Sequence, residues 1–229
     1  MYSLFELVRL LSIKDDIDVA DSPKVSIYTW REHGEANLLA LACTNGFILL
    51  RYSSSGRSPV VKQIAWPSDH PIVSMCLDPT VAWLIVAAEN GSLFILPALA
   101  MLDKTAQVNQ LWKLDDVTII TACKPRGVPT TVIWWHTLDD QQIAIMATKL
   151  GEIFFIDLLK KKLVAESAVD AHIKRIELVQ DDQQMSTHLL VRTVIFPLIF
   201  RNMDHVSQFC LAELVRCRAA MSTLVISIV

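Results

Sequence analysis

An all-β chain assembled from repeated antiparallel units is the fold class this sequence predicts, and three observations carry the prediction. Three segments align on a glycine: "NLLALACTNGFILLRY" from Asn37 to Tyr52, "WLIVAAENGSLFILPA" from Trp83 to Ala98 and "IAIMATKLGEIFFIDL" from Ile143 to Leu158. Each reads as apolar run, polar turn, apolar run. The chain of 229 residues has only six glycines, yet Gly46, Gly91 and Gly151 fall at the same point of the repeat. A tight turn between antiparallel strands commonly needs φ > 0, which glycine adopts at little cost, so each segment is a β-hairpin. The third observation is a hydrophobic content of 52% with a mean hydropathy of +0.39. At that level most strands must be buried on both faces, or the chain must bury surface against a partner.

A further strand candidate precedes each hairpin: "KVSIYTWRE" (Lys24 to Glu32), "IVSMCLDP" (Ile72 to Pro79) and "TTVIWWHT" (Thr130 to Thr137). Another follows: "PVVKQIAWP" (Pro59 to Pro67), "VNQLWKLDD" (Val108 to Asp116) and "KLVAESAVD" (Lys162 to Asp170). The hairpin strands are continuously apolar and belong in the middle of a sheet, whereas the following strands mix polar and apolar residues, as at an edge with one wet face. Four antiparallel strands with a buried middle and a polar edge describe a propeller blade. The turn glycines lie about 45 and about 60 residues apart, against the ~40 to 50 residues usual for such a unit, with the longer interval absorbed by "CKPRGVPT" (Cys123 to Thr130). A fourth copy begins with "AHIKRIELVQ" and "THLLVRT" but lacks a glycine turn, and the pattern breaks at Val194.

On these residues the chain resembles the WD-repeat-like β-propellers found at the N-termini of large scaffold proteins, including subunits of vesicle-tethering and lysosome-related-organelle complexes. The resemblance covers roughly Lys24 to Thr193 and is architectural. No Gly-His pair opens a blade, and only Phe155-Ile156-Asp157 approaches the Trp-Asp that closes a third strand. The expected architecture is therefore a partial or degenerate β-propeller of three to four four-stranded blades. Residues 1–200 form the propeller-like region, with blades near 24–67, 68–116 and 117–170 and an incomplete one over 171–200. Residues 201–229 form a non-repeat tail, helical or without regular structure, in which Val206 to Ala220 fits a short amphipathic helix. Propellers usually close with 4 to 8 blades. The expectation is thus the N-terminal part of a longer protein, as a truncated or alternatively spliced product would be. "LFELVRLLSI" near the N-terminus fits either a closing outer strand or a helix with Leu4, Leu7, Val8 and Leu11 on one face.

Charge and cysteines bound the partners. Lys+Arg 21 against Asp+Glu 24 gives a net charge of -3, which offers no general attraction to nucleic acid. Five cysteines (Cys43, Cys76, Cys123, Cys210, Cys217) without a C-x-x-C pair point to reduced thiols in a cytosolic protein rather than a disulfide or zinc framework. No apolar window approaches the length of a transmembrane helix, and the N-terminus lacks a basic n-region.

Motifs that carry chemistry are missing. The six histidines (His33, His70, His136, His172, His188, His205) show no metal-ligand spacing. Asp15-Asp16-Ile17-Asp18 lacks the glycine and glutamate of a calcium loop. Asp139-Asp140 and Asp181-Asp182 sit where turns begin, Lys160-Lys161-Lys162 reads as a solvated turn, and "RYSSSGRSP" (Arg51 to Pro59) as an exposed loop with Ser58 before Pro59. The expectation is no catalytic residue, no cofactor and no metal. Adjacent Trp134 and Trp135 point to opposite faces of a strand, which makes them the candidate partner-binding residues.

The function expected is a non-catalytic interaction scaffold whose partners are protein subunits of a larger cytosolic complex. The resemblance implies vesicle traffic or lysosome-related organelle function, with peripheral endosomal or lysosomal membrane association through partners. One alternative is a propeller enzyme with a central-channel site, for which the first strands offer Ser26, Tyr28, Ser74, Cys76 and His136. Another is a small self-contained β domain that binds a ligand, and a third reading of the fold is a sandwich or two small β domains, in which the three-copy periodicity is accidental.

Overall fold

The computed structural model describes residues 24–44, 46–55, 58–102, 117–137, 139–181, 186–194 and 223–228. They form four antiparallel sheets in chain order. The first holds β1 (Val25–His33), β2 (Ala36–Cys43), β3 (Phe47–Ser54) and β4 (Val60–Ala65), each paired with the next. The second holds β5 (Ile72–Leu77), β6 (Leu84–Ala88), β7 (Leu93–Leu96) and β8 (Thr118–Ile120), with one helical turn, α1 (Ala98–Met101), after β7. The third holds β9 (Pro129–His136), β10 (Gln142–Thr148), β11 (Glu152–Asp157) and β12 (Lys162–Ala168). The fourth joins β13 (His172–Asp181), β14 (Ser186–Val194) and β15 (Thr223–Ile228).

The sequence reading differs from this at two strands. The outer strand of the second sheet is β8, beyond the expected "VNQLWKLDD", which lies outside the described residues, as do the expected helix Val206–Ala220 and the segment "LFELVRLLSI". Thr223–Ile228, placed by the sequence outside the repeat, pairs with β14 from Arg192↔Thr223 to Thr187↔Ile228 and supplies the third strand of the fourth sheet.

The apolar strands are explained by two-sided burial. In β6, Leu84 and Val86 face the first sheet beside Leu38, Ala40, Leu50 and Phe94, while Ile85 and Ala87 face the third beside Val132, Ala144 and Phe154. In β10 and β11, Ile145, Ile153 and Phe155 turn to the fourth sheet and meet Ile173, Ile176, Leu189 and Val191. The sheets are stacked face to face around their first strands: β1 lies against β5, β5 against β9 and β9 against β13. Ser74 Oγ reinforces one such junction, accepting the Val132 N–H at 3.0 Å. By contrast β12 alternates exposed and half-buried residues, as an outer strand should.

A meander of this kind sorts its connections into two ends. First-to-second and third-to-fourth strand connections leave at one end, and second-to-third turns share the other with the loops that run between sheets. At the latter end the turn glycines are in the left-handed region, with φ of 83°, 85° and 87° at Gly46, Gly91 and Gly151. In the first and third sheets the glycine carbonyl holds the end of the outer strand: Trp66 N–H donates to Gly46 O at 2.8 Å and Val169 N–H to Gly151 O at 2.9 Å.

Candidate interaction surface

Along the first strands, polar side chains are engaged with backbone. Ser26 Oγ donates to Ala42 O at 3.0 Å and Ser74 Oγ is held by Val132. Cys76 Sγ donates to Leu77 O at 3.3 Å; burial pushes this thiol up, against a smaller opposing effect of the Trp134 N–H. His136 Nε2 meets Asp140 Oδ1 at 2.5 Å in an exposed turn, and Tyr28 is exposed on β1. Among the described residues none of these side chains is hydrogen-bonded to another of the set. Among the described residues no cluster of three or more His, Cys, Asp or Glu is placed to hold a metal, and no helix is long and apolar enough to cross a membrane.

The three described thiols, Cys43, Cys76 and Cys123, are free and raised by burial, Cys123 to about 11 with help from the charge of Glu152. Since the thiolate is the reactive form, Cys43, Cys76 and Cys123 are expected to stay unlabelled by a maleimide at pH 7.5 until denaturant is added. Peptide mapping of rapid native labelling at all three would contradict the stacked sheets.

The intersheet-loop end is tied down by side chains that sequence reading missed. Glu152 is buried at the start of β11. Its carboxylate accepts Arg126 Nε–H at 2.9 Å, the N–H of Arg126 at 3.1 Å and of Gly127 at 3.0 Å, and Thr148 Oγ1–H at 3.0 Å. Burial pushes this carboxyl up, but the Arg126 guanidinium, the two N–H groups and the Thr148 hydroxyl outweigh it and hold it below its usual range. In the second sheet, His70 from the loop before β5 approaches Asn90 of the β6–β7 turn at 3.4 Å and lies against the Phe94 ring, 5.2 Å between centroids. The signal for Glu152 was there: a carboxylate in a strand buried on both faces must be satisfied.

Apolar side chains reach solvent at both ends, Leu150 beside Gly151 among them, and three do so at the opposite end. Trp83 and Leu99 are each 43% exposed and Leu159 is 73% exposed. Trp83 is held by a loop built on Asp78, which is itself buried. Asp78 Oδ1 accepts the Trp83 N–H at 2.8 Å, and Oδ2 accepts the Thr80 N–H at 3.1 Å and Thr80 Oγ1–H at 2.5 Å. Leu99 joins it because its N–H donates to Ala82 O at 3.2 Å. Asp157 acts similarly in the β11–β12 turn. Burial raises its carboxyl, but the N–H and ammonium of Lys160, the latter 3.1 Å away, bring it below the usual carboxylate range.

No protein-family model and no curated protein matches the sequence. Solved structures do. BBS1N in complex with ARL6DN, soaked with mercury, matches with a TM-score of 0.52 at 12% identity, over 90% of this chain and 66% of that chain. The fold is a partial β-propeller. Dihydro-heme d1 dehydrogenase NirN in complex with DHE matches with a TM-score of 0.52 at 15% identity, over 77% of this chain and 33% of that one. The WD40 domain of Toxoplasma gondii coronin gives 0.49 at 12% identity, over 77% and 48%. The chain thus spans about half the length of the first propellers it matches.

Within the propeller, Trp134 and Trp135 sit on the innermost strand of the third blade and face its two neighbours. Trp134 is half-buried against the second blade, with Nε1–H donating to Gln142 Oε1 at 2.6 Å. Trp135 is half-buried against the fourth, and its indole N–H is buried without a hydrogen-bond partner among the described residues. The alternation read from sequence is observed, and both rings spend much of their surface between blades.

Proposed function

We propose that this chain is a non-catalytic protein-interaction scaffold in a larger cytosolic assembly serving membrane traffic or organelle function. The observation that carries the reading is a set of apolar side chains held outward on hydrogen-bonded turns. Trp83, Leu99 and Leu159 are held so at one end of the blades, and the other end is fastened by Glu152, Asn90 and the glycine turns. Exposed aromatic and aliphatic side chains on rigid loops suit protein recognition, because little side-chain order is lost on binding. The half-exposed rims of Trp134 and Trp135 extend this surface toward the inner strands. A solved neighbour bound to another protein, BBS1N with ARL6DN, supports protein binding as a use of the fold, and the trafficking assignment rests on the resemblance to scaffold propellers.

The test is quantitative affinity purification of the full chain from cells. Stoichiometric recovery of defined protein subunits, with membrane-traffic components among them, is the expected result. A chain that purifies alone, and turns over a small molecule in an activity screen, would replace this reading with an enzymatic one.

A further inference from the structure

We infer that the flank of the first blade that faces away from the second is a docking face, occupied within the same chain by residues 1–23, which seat Leu4, Leu7, Val8 and Leu11 of a short amphipathic helix on it. Strand register makes the face one patch. Leu39, Leu41 and Cys43 alternate along β2 with Leu38, Ala40 and Ala42, which pack on the second blade, so the two sets point to opposite sides. Leu49 of β3 lies opposite Leu41 and joins the first set in one apolar cluster. On β1, Tyr28 pairs with Leu41 and Trp30 with Leu39, which continues the same face toward the inner strand. The repeat shows what such a face accepts. Leu39, Leu41 and Leu49 stand seven and five residues before Gly46 and three after it, as Leu84, Val86 and Phe94 stand about Gly91, and Ala144, Met146 and Phe154 about Gly151. In the second and third blades those positions pack against the preceding blade. No described sheet precedes the first.

The face is nevertheless out of water. Leu39, Leu41, Cys43 and Leu49 are only 3% to 7% exposed, although their cluster holds no side chain from another sheet. Burial within a single chain comes from that chain, so the cover lies among residues outside the described ones. Residues 103–116 start and end in the second blade and residues 195–222 in the fourth, whereas residues 1–23 run straight into β1. They enter at the rim of the patch, because Lys24 O accepts the N–H of Thr44, the neighbour of Cys43, at 2.9 Å. Tyr28 and Trp30 remain 55% and 41% exposed, which puts the cover over β2 and β3 rather than along the free edge of β1. A segment lying across the middle of a sheet finds no backbone partner there and must satisfy its own hydrogen bonds, as a helix does. Leu4, Leu7, Val8 and Leu11 form one helical stripe with Glu6 and Arg9 opposite. The stripe is about 10 Å long, against about 14 Å of strand from Leu39 to Cys43.

Cys43 reports on the cover. In the full chain, Leu7→Asp/Leu11→Asp should raise its labelling by a maleimide at pH 7.5 by at least about 10-fold, because carboxylates do not stay seated on an apolar face. Cys76 and Cys123, packed between the second and third blades, should keep the rate of the parent chain, and peptide mapping separates the three. A Cys43 that stays protected in that variant overturns the inference. Should the substitutions unfold the chain, all three thiols label and a second measurement decides. A photo-reactive benzoylphenylalanine replaces Leu7 in the otherwise unchanged full chain, which is irradiated at low protein concentration and mapped by mass spectrometry. The expected cross-link joins it, within one chain, to the segment from Ala36 to Ser54. No cross-link, or attachment to another blade, to residues 195–222 or to a second copy, overturns the inference.

Discussion

Gly151→Ala is expected to remove most of the stability of the third blade, costing about 4 kcal/mol or more and lowering the yield of folded protein. Two effects add. The residue sits at φ 87°, where an L side chain is strained, and an added Cβ would run into the carbonyl oxygen of Val169 and lie 2.8 Å from that of Ala171. Both obstacles are backbone and cannot rotate aside. The displaced segment also supplies the Val169 N–H to Gly151 O bond that fastens the outer end of β12, so relief of the clash breaks a tie. Gly34→Ala is the matched control. Gly34 has φ 60° but open space around the added carbon, so only the backbone preference is lost, about 1 kcal/mol. Urea titration of both variants, followed by far-UV circular dichroism, separates the two effects. Equal losses would mean that the Val169 carbonyl yields, and the tight turn would not be a fixed point of the blade.

Glu152→Ala is the second large effect expected, about 3 kcal/mol. The N–H groups of Arg126 and Gly127 and the Thr148 hydroxyl lose their acceptor. The Arg126 side chain is largely exposed and simply returns to water, so the backbone and hydroxyl donors carry the cost. The pH dependence has a defined sign. A carboxyl held below its usual 4.5 stabilises the fold fully above that value, and the contribution is lost as pH falls through the lower folded value. Wild type should therefore lose stability below about pH 4.5, and Glu152→Gln should flatten part of that slope while keeping the shape of the side chain. Asp157, also lowered, contributes in the same direction and leaves a residual slope. An unaltered acid profile in Glu152→Gln would show that the network does not hold the loop.

The hairpins were legible because two-sided burial and a left-handed turn each leave a mark in sequence: unbroken apolar runs such as Leu84 to Ala88, and Gly91 between them and Leu93. The outer strand of the second sheet was not. "VNQLWKLDD" is the better strand by composition than Thr118–Ile120, yet Thr118–Ile120 is the segment paired with β7, a tertiary choice that propensity does not show. Trp83 misled for a related reason. It reads as the first residue of an apolar strand, yet Asp78, five positions earlier, captures its N–H and turns it to the surface before β6 begins. That Glu152 needs partners was legible, but for Glu152 and Asp78 alike nothing in sequence distance shows which N–H groups a buried carboxylate will meet.

The order of strands along the chain also sets a timetable. In the first three blades every strand pairs with the one made just before it, apart from the longer return to β8, so each can close as it leaves the ribosome, with little loop entropy to overcome. The fourth is different: β14 finds its second neighbour only in β15, after residues 195–222 have been synthesised. Until then one edge of β14 stays unpaired, although Leu189 and Val191 already have the third blade to pack against. During synthesis this blade is the vulnerable one, and it is where a chaperone would be expected to bind the nascent chain.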